Sequence, residues 1–142
     1  MLSIYALSFL VTAYFTGTLI LKYTTRLNGC FIGGTLIVIN LLGIGLLDLS
    51  ESKPFILVSS VILQILGGIG NGINVPSTMA MLSSFKKRRD VYIGYFELIN
   101  GLSALIGPLA GSTFYWFAGF AGPYATLGSA YGLALLYFYQ RK

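Results

Sequence analysis

Asn100-Gly-Leu-Ser-Ala-Leu-Ile-Gly-Pro-Leu-Ala-Gly111 sits in a run that carries no charge from Leu98 to Gln140. In a helix surrounded by water, Pro108 would clash with the preceding turn and remove a backbone hydrogen bond. A membrane helix tolerates that defect, because neighbouring helices or hydroxyl side chains satisfy the freed carbonyl. Gly101, Gly107 and Gly111 add a smooth face against which another helix can lie closely. The stretch therefore reads as a kinked, small-residue helix at the core of a polytopic membrane protein, with the other apolar segments packed around it.

Composition agrees with that class. Hydrophobic residues make up 56% of the 142, and charged residues only 9%, where a soluble domain carries roughly 25%. The net charge of +5 comes from basic residues placed between apolar runs, a pattern that membrane orientation explains better than nucleic-acid binding does. The chain has no histidine, one cysteine (Cys30) and four carboxylates. No triad, acid pair or metal cluster can be assembled from that set, so neither an enzyme nor a cofactor or metal site is expected.

Outward from the Gly-Pro stretch, charge-free runs separated by polar turns mark five expected spans, at about 3–22, 28–48, 54–82, 90–116 and 123–140. Each approaches or exceeds the roughly 20 apolar residues that cross a bilayer. The fold expected is all-helical, a single membrane domain. The run from Pro54 to Phe85 is longer than one bilayer thickness and should tilt, kink or emerge. Its middle, Gly67-Gly-Ile-Gly-Asn-Gly-Ile-Asn-Val-Pro76, does not follow a strand and lacks the downstream Lys-Ser/Thr of a phosphate loop. Ala118 to Pro123 reads as a tight turn.

Turns on alternate sides of a membrane collect different charges. Lys22 and Arg26, Lys86 to Arg89, and Arg141 and Lys142 share one side and make eight of the nine basic residues. Lys53 stands on the other with Asp48 and Glu51. The positive-inside rule then places the C-terminus in the cytoplasm and the N-terminus outside or in a lumen.

Several residues admit two readings. Glu97 is the one charge well inside a span, so it is either a proton-coupling group or an ion-pair partner of Arg26 or Lys22. Asn71 and Asn74 share a helix face. With Gln64 and Asn100 they either line a polar solute pathway or act as hydrogen-bond glue between helices. Gly68-x-x-x-Gly72 and Gly107-x-x-x-Gly111 suit packing within the bundle, with dimerisation as the other reading. Lys86-Lys-Arg-Arg89 is sufficiently explained as a topology determinant, with anionic lipid as the other reading.

The early Gly101 followed by Gly107-Pro108-x-x-Gly111 resembles the fifth-helix signature of the major facilitator superfamily of secondary transporters. Gly17, Leu19, Lys22 and Arg26 resemble that family's loop signature Gly-x-Leu-Ala-Asp-Arg-x-Gly-Arg-Arg. Leu21 stands in place of the acid and Thr24 in place of the second glycine, while Gln64 occupies a position where the family often has Arg. Phe85, Arg89, Gly94, Glu97 and Gly101, with Gly119-Phe-x-x-Pro123-Tyr, are similar to the vesicular amine and polyamine branch. The resemblance implies helices two to six of a twelve-helix carrier for a small organic solute, a cationic amine if the branch holds. It also implies that helix one and the second half come from elsewhere, either a longer product or a partner subunit. The competing expectation is a non-transporting membrane protein that assembles with a partner through its spans.

Overall fold

The computed structural model describes residues 2–85 and 88–141; Lys86, Lys87 and Lys142 of the expected basic clusters lie outside them. Every regular element among the described residues is helical. The chain opens with α1 (Leu2–Phe15), continues through a π-helical turn (Thr16–Ile20) and closes that span with the short α2 (Leu21–Tyr23). Next come α3 (Arg26–Leu46) with a 3-10 turn (Leu47–Leu49), α4 (Lys53–Leu82), α5 (Arg89–Ala118) and α6 (Ala121–Gln140). Among the described residues, three helices are by length and apolarity able to cross a membrane, Arg26–Leu49, Lys53–Leu82 and Arg89–Ala118. The first span is interrupted by the π turn, and α6 is diluted by glycine and tyrosine.

Local chemistry sets the helix ends. Thr25 caps α3, its hydroxyl accepting from the Asn28 N–H at 3.4 Å, which satisfies one of the donors left free at a helix start. Pro54 stands in the first turn of α4, where its missing N–H costs nothing. Gly119 ends α5 at φ 65°, a left-handed conformation that favours glycine, and its N–H returns to the Tyr115 carbonyl at 2.9 Å. The expected turn over Ala118–Pro123 is therefore shorter than anticipated. Only Gly119 and Phe120 lie between helices, and Gly122-Pro123 already belong to the first turn of α6. Gly17 of the expected loop signature likewise lies in the helical π turn, with no other group near it.

The centre of the bundle is α4, which corrects the expectation that the Gly-Pro stretch holds that place. α1 packs on one side of α4 and α3 on another, and α6 packs on α3. The contacts are made by missing side chains. A Cβ at Gly33 would lie 2.6 Å from both the Asn74 nitrogen and the Gly70 carbonyl oxygen. One at Gly68 would meet the Tyr5 carbonyl at 2.6 Å, and one at Gly72 the Thr12 side chain at 2.7 Å. Gly34 receives Leu135 and Gly128 receives Leu42, which seats α6. Ile44 and Ile73 are the buried large hydrophobic residues among those described. Such a core suits a bilayer, where lipid offers apolar side chains as good a home as protein does, and close backbone packing holds helices together.

α5 is different. None of its residues is buried. Gly101, Gly107 and Gly111 meet nothing within 4 Å, and Leu105 and Leu109 are 68% and 66% exposed. The helix is anchored at its end, where Gly122 fits under the Phe114 carbonyl. Pro108 lies inside an α-helix that runs unbroken from Arg89 to Ala118.

Candidate functional site

The polar residues of α4 point in different directions, and their partners show what each can do. Asn74 faces α3 and α6. Its amide donates to the Cys30 carbonyl at 3.1 Å and to the Tyr131 hydroxyl at 3.2 Å, while its carbonyl oxygen accepts from Thr78 at 3.4 Å. Cys30 Sγ lies 3.5 Å from the Thr78 hydroxyl. Asn74 thus ties three helices together at the level where Gly33 lets α3 approach. Asn71 turns back on its own helix and donates to the Gly67 carbonyl at 3.3 Å. Asn74→Leu is expected to lower stability by about 1 kcal/mol, near the upper half of measured interhelical bonds in membranes, and Asn71→Leu to leave it nearly unchanged. Unfolding of the purified protein in graded denaturing detergent reads the difference.

Three buried polar residues carry no motif in the sequence. Asn40 of α3 donates its amide to the Leu63 carbonyl of α4, against the flat surface of Gly67. Thr16 is fully buried and returns its hydroxyl to the Thr12 carbonyl at 2.8 Å, just where the helix widens into the π turn. Hydroxyl back-bonding of this kind accompanies bends in helices, and π turns gather at functional sites. Ser77 is fully buried against Gly29, and its hydroxyl has no partner among the described residues. The charge-free runs put Asn40 and Ser77 within spans, but only the opposing glycine shows that each is enclosed.

Gln64 lines a cavity of about 330 Å³ at the Asp48 end of the bundle. Asp48 and Ser50 from the turn after α3, Ser60 and Gln64 from α4, Phe120 from the turn before α6 and Tyr124 from α6 form its walls together with Ile44, Leu47 and Ile56. The two rings lie 5.2 Å apart, tilted by 46°. A carboxylate, two serine hydroxyls, an amide, a phenylalanine and a tyrosine ring among aliphatic side chains in one concavity can hold a small solute, with the rings and Asp48 favouring positive charge.

The remaining candidates are not gathered into that cavity. Asn100 and Glu97 are exposed on α5. The expected pairing of Glu97 with Arg26 or Lys22 is not formed, and Glu97 has no ion pair among the described residues. Lys22 lies 6.0 Å from the centre of the Tyr23 ring, and Arg26 is exposed in the first turn of α3.

The family model described as Major Facilitator Superfamily matches residues 1–142. The match reaches the superfamily as a whole and lends no support to the vesicular amine branch. No curated protein and no solved structure matches the chain.

Proposed function

From the premise that this chain belongs to the major facilitator superfamily, we propose that it forms part of a secondary active transporter for a small organic cation. The cavity beside Gln64 carries the reading. Its one charged wall residue among the described residues is Asp48, and its aromatic wall is built from Phe120 and Tyr124, the pairing that attracts an alkylammonium group. Transporters of this type bind solute between two groups of helices that rock against each other. The chain therefore supplies one wall of the pathway. It is not competent to alternate access alone, and further helices or a partner subunit supply the facing wall.

Other features support the same arrangement. The turns at the Arg26 end carry Lys22, Arg26, Arg88, Arg89 and Arg141, and those at the opposite end carry Asp48, Glu51 and Lys53. By the positive-inside rule the Arg26 end is cytoplasmic, so the cavity opens to the outer or luminal side. All five helical segments then cross the bilayer. The unpartnered glycine face of α5 receives one of the facing helices. Glu97 on that helix is the proton-coupling candidate, and Asn100 a pathway residue at the junction.

The test is solute binding by the chain reconstituted in lipid nanodiscs, with tetraethylammonium as probe. Binding is expected to weaken about tenfold in Asp48→Asn and several-fold in Phe120→Leu, in line with a charge contact and one cation–π contact. Asp90→Asn, remote from the cavity, should bind as the natural chain does. Equal binding in Asp48→Asn and the natural chain would overturn the cation reading.

A further inference from the structure

A second cavity opens at the other end of the bundle, between α3, α4 and α6. It measures about 380 Å³, and its walls include Leu27, Phe31, Met81, Leu135 and Phe138. Cys30 lies on the same wall, and Arg141 is its one charged lining residue among the described residues. We propose that this cavity holds the acyl chain of an anionic phospholipid, with the headgroup on Arg141.

The occupant follows from the chemistry of the walls. An apolar cavity offers water too few partners to keep it. A transported polar solute would meet the same shortage, because Cys30 and Arg141 are the polar groups present. Hydrocarbon suffers no such penalty, and in a bilayer it is the molecule at hand. The charge at the mouth then selects among lipids. Arg141 ends α6, with its guanidinium stacked 4.8 Å from the centre of the Tyr137 ring, an arrangement that limits its freedom. The same end of the bundle carries Lys22, Arg26, Arg88 and Arg89, against Asp90 as the acid of its turns. Basic pockets between membrane helices bind acidic headgroups for this reason. The site lies at the end of the bundle opposite Asp48, and the inference stands whether or not the chain carries a cation.

The experiment is native mass spectrometry of the full chain from micelles holding equal phosphatidylglycerol and phosphatidylcholine. The natural chain is expected to retain one phosphatidylglycerol in clear preference to phosphatidylcholine. Arg141→Ala should cut that preference about fivefold, the effect of one basic residue near an anionic surface. Met81→Trp, which fills the cavity, should release the lipid altogether. Lys53→Ala, at the opposite end of the bundle, should change little. Equal retention of the two lipids by the natural chain, or an equal loss in Lys53→Ala and Arg141→Ala, would overturn the proposal. A second measurement needs no variant. Modification of Cys30 by N-ethylmaleimide should slow several-fold when phosphatidylglycerol replaces phosphatidylcholine, and an unchanged rate would count against occupancy.

Discussion

Gly33→Ala is expected to lower the stability of the bundle by about 3 kcal/mol, the upper end of the cost of overpacking, while Gly101→Ala leaves it unchanged or slightly raised. Both are single methyl additions to helical glycines, so intrinsic propensity favours each substitution equally. The difference is entirely in what the methyl meets. At Gly33 it would lie 2.6 Å from the Asn74 nitrogen and the Gly70 oxygen, and 2.9 Å from the Asn74 Cα. Those are backbone atoms of α4, which cannot rotate aside as the tip of a side chain could. Relief requires α3 to move away from α4. That movement would also stretch the Asn74 bond to the Cys30 carbonyl and unseat α6 from Gly34. At Gly101 the methyl meets nothing within 4 Å.

Cys30 provides the readout, since it lies one turn from Gly33 and is the one cysteine of the chain. Its thiol is half-buried beside Thr78, so a thiol-reactive fluorophore reports the separation of α3 from α4 on heating. A Gly33→Ala midpoint equal to that of the natural chain would remove α4 from the centre of the bundle. A large loss in Gly101→Ala would mean that the α5 face is packed.

The contrast between these glycines also marks how far the sequence could be read. That the chain is a helical membrane protein follows from charge-free runs between basic turns, a property of the bilayer that sequence reports directly. Which helix lies at the centre does not follow. Gly107 and Pro108 make a more conspicuous motif than Gly33, yet small-residue spacing is the same on a helix that is packed and on one that is bare. Burial depends on the opposing surface, and Gly33 meets Gly70 from 37 positions away. The same limit applies to the polar residues. Asn71 and Asn74 share a face by spacing, but one closes on its own helix and the other bridges to α3 and α6. Gln64 stands out in the sequence as a polar residue inside a span, while its cavity partners Asp48, Phe120 and Tyr124 appear only as a polar turn and part of a family-like turn motif, because the turns that bring them together join different pairs of helices.

Gly107→Trp is expected to leave this chain's own fold intact and, on the proposed function, to abolish transport by the assembled carrier, a loss of at least about tenfold at equal abundance in the membrane. The first half follows from geometry, since Gly107 meets no group within 4 Å and its neighbours Leu105 and Leu109 are already exposed. The second half rests on the proposal that a facing helix lies on α5. Helices in lipid approach closely through small residues, and Gly101, Gly107 and Gly111 provide that surface along an α-helix of 30 residues with no buried side chain. Hydrocarbon alone would be satisfied by leucine at those positions, so a lipid-facing α5 has no physical need of a glycine face. An indole at Gly107 would hold the facing helix several ångströms away and open the junction on which alternating access depends. Cysteine pairs placed on α5 and the added helices would lose their cross-linking in Gly107→Trp while Cys30 kept its protection on heating. Full transport in Gly107→Trp would instead show that lipid covers the α5 face. The facing wall of the pathway would then have to pack on α1 or on α4 where Leu57, Val58 and Ile62 are exposed.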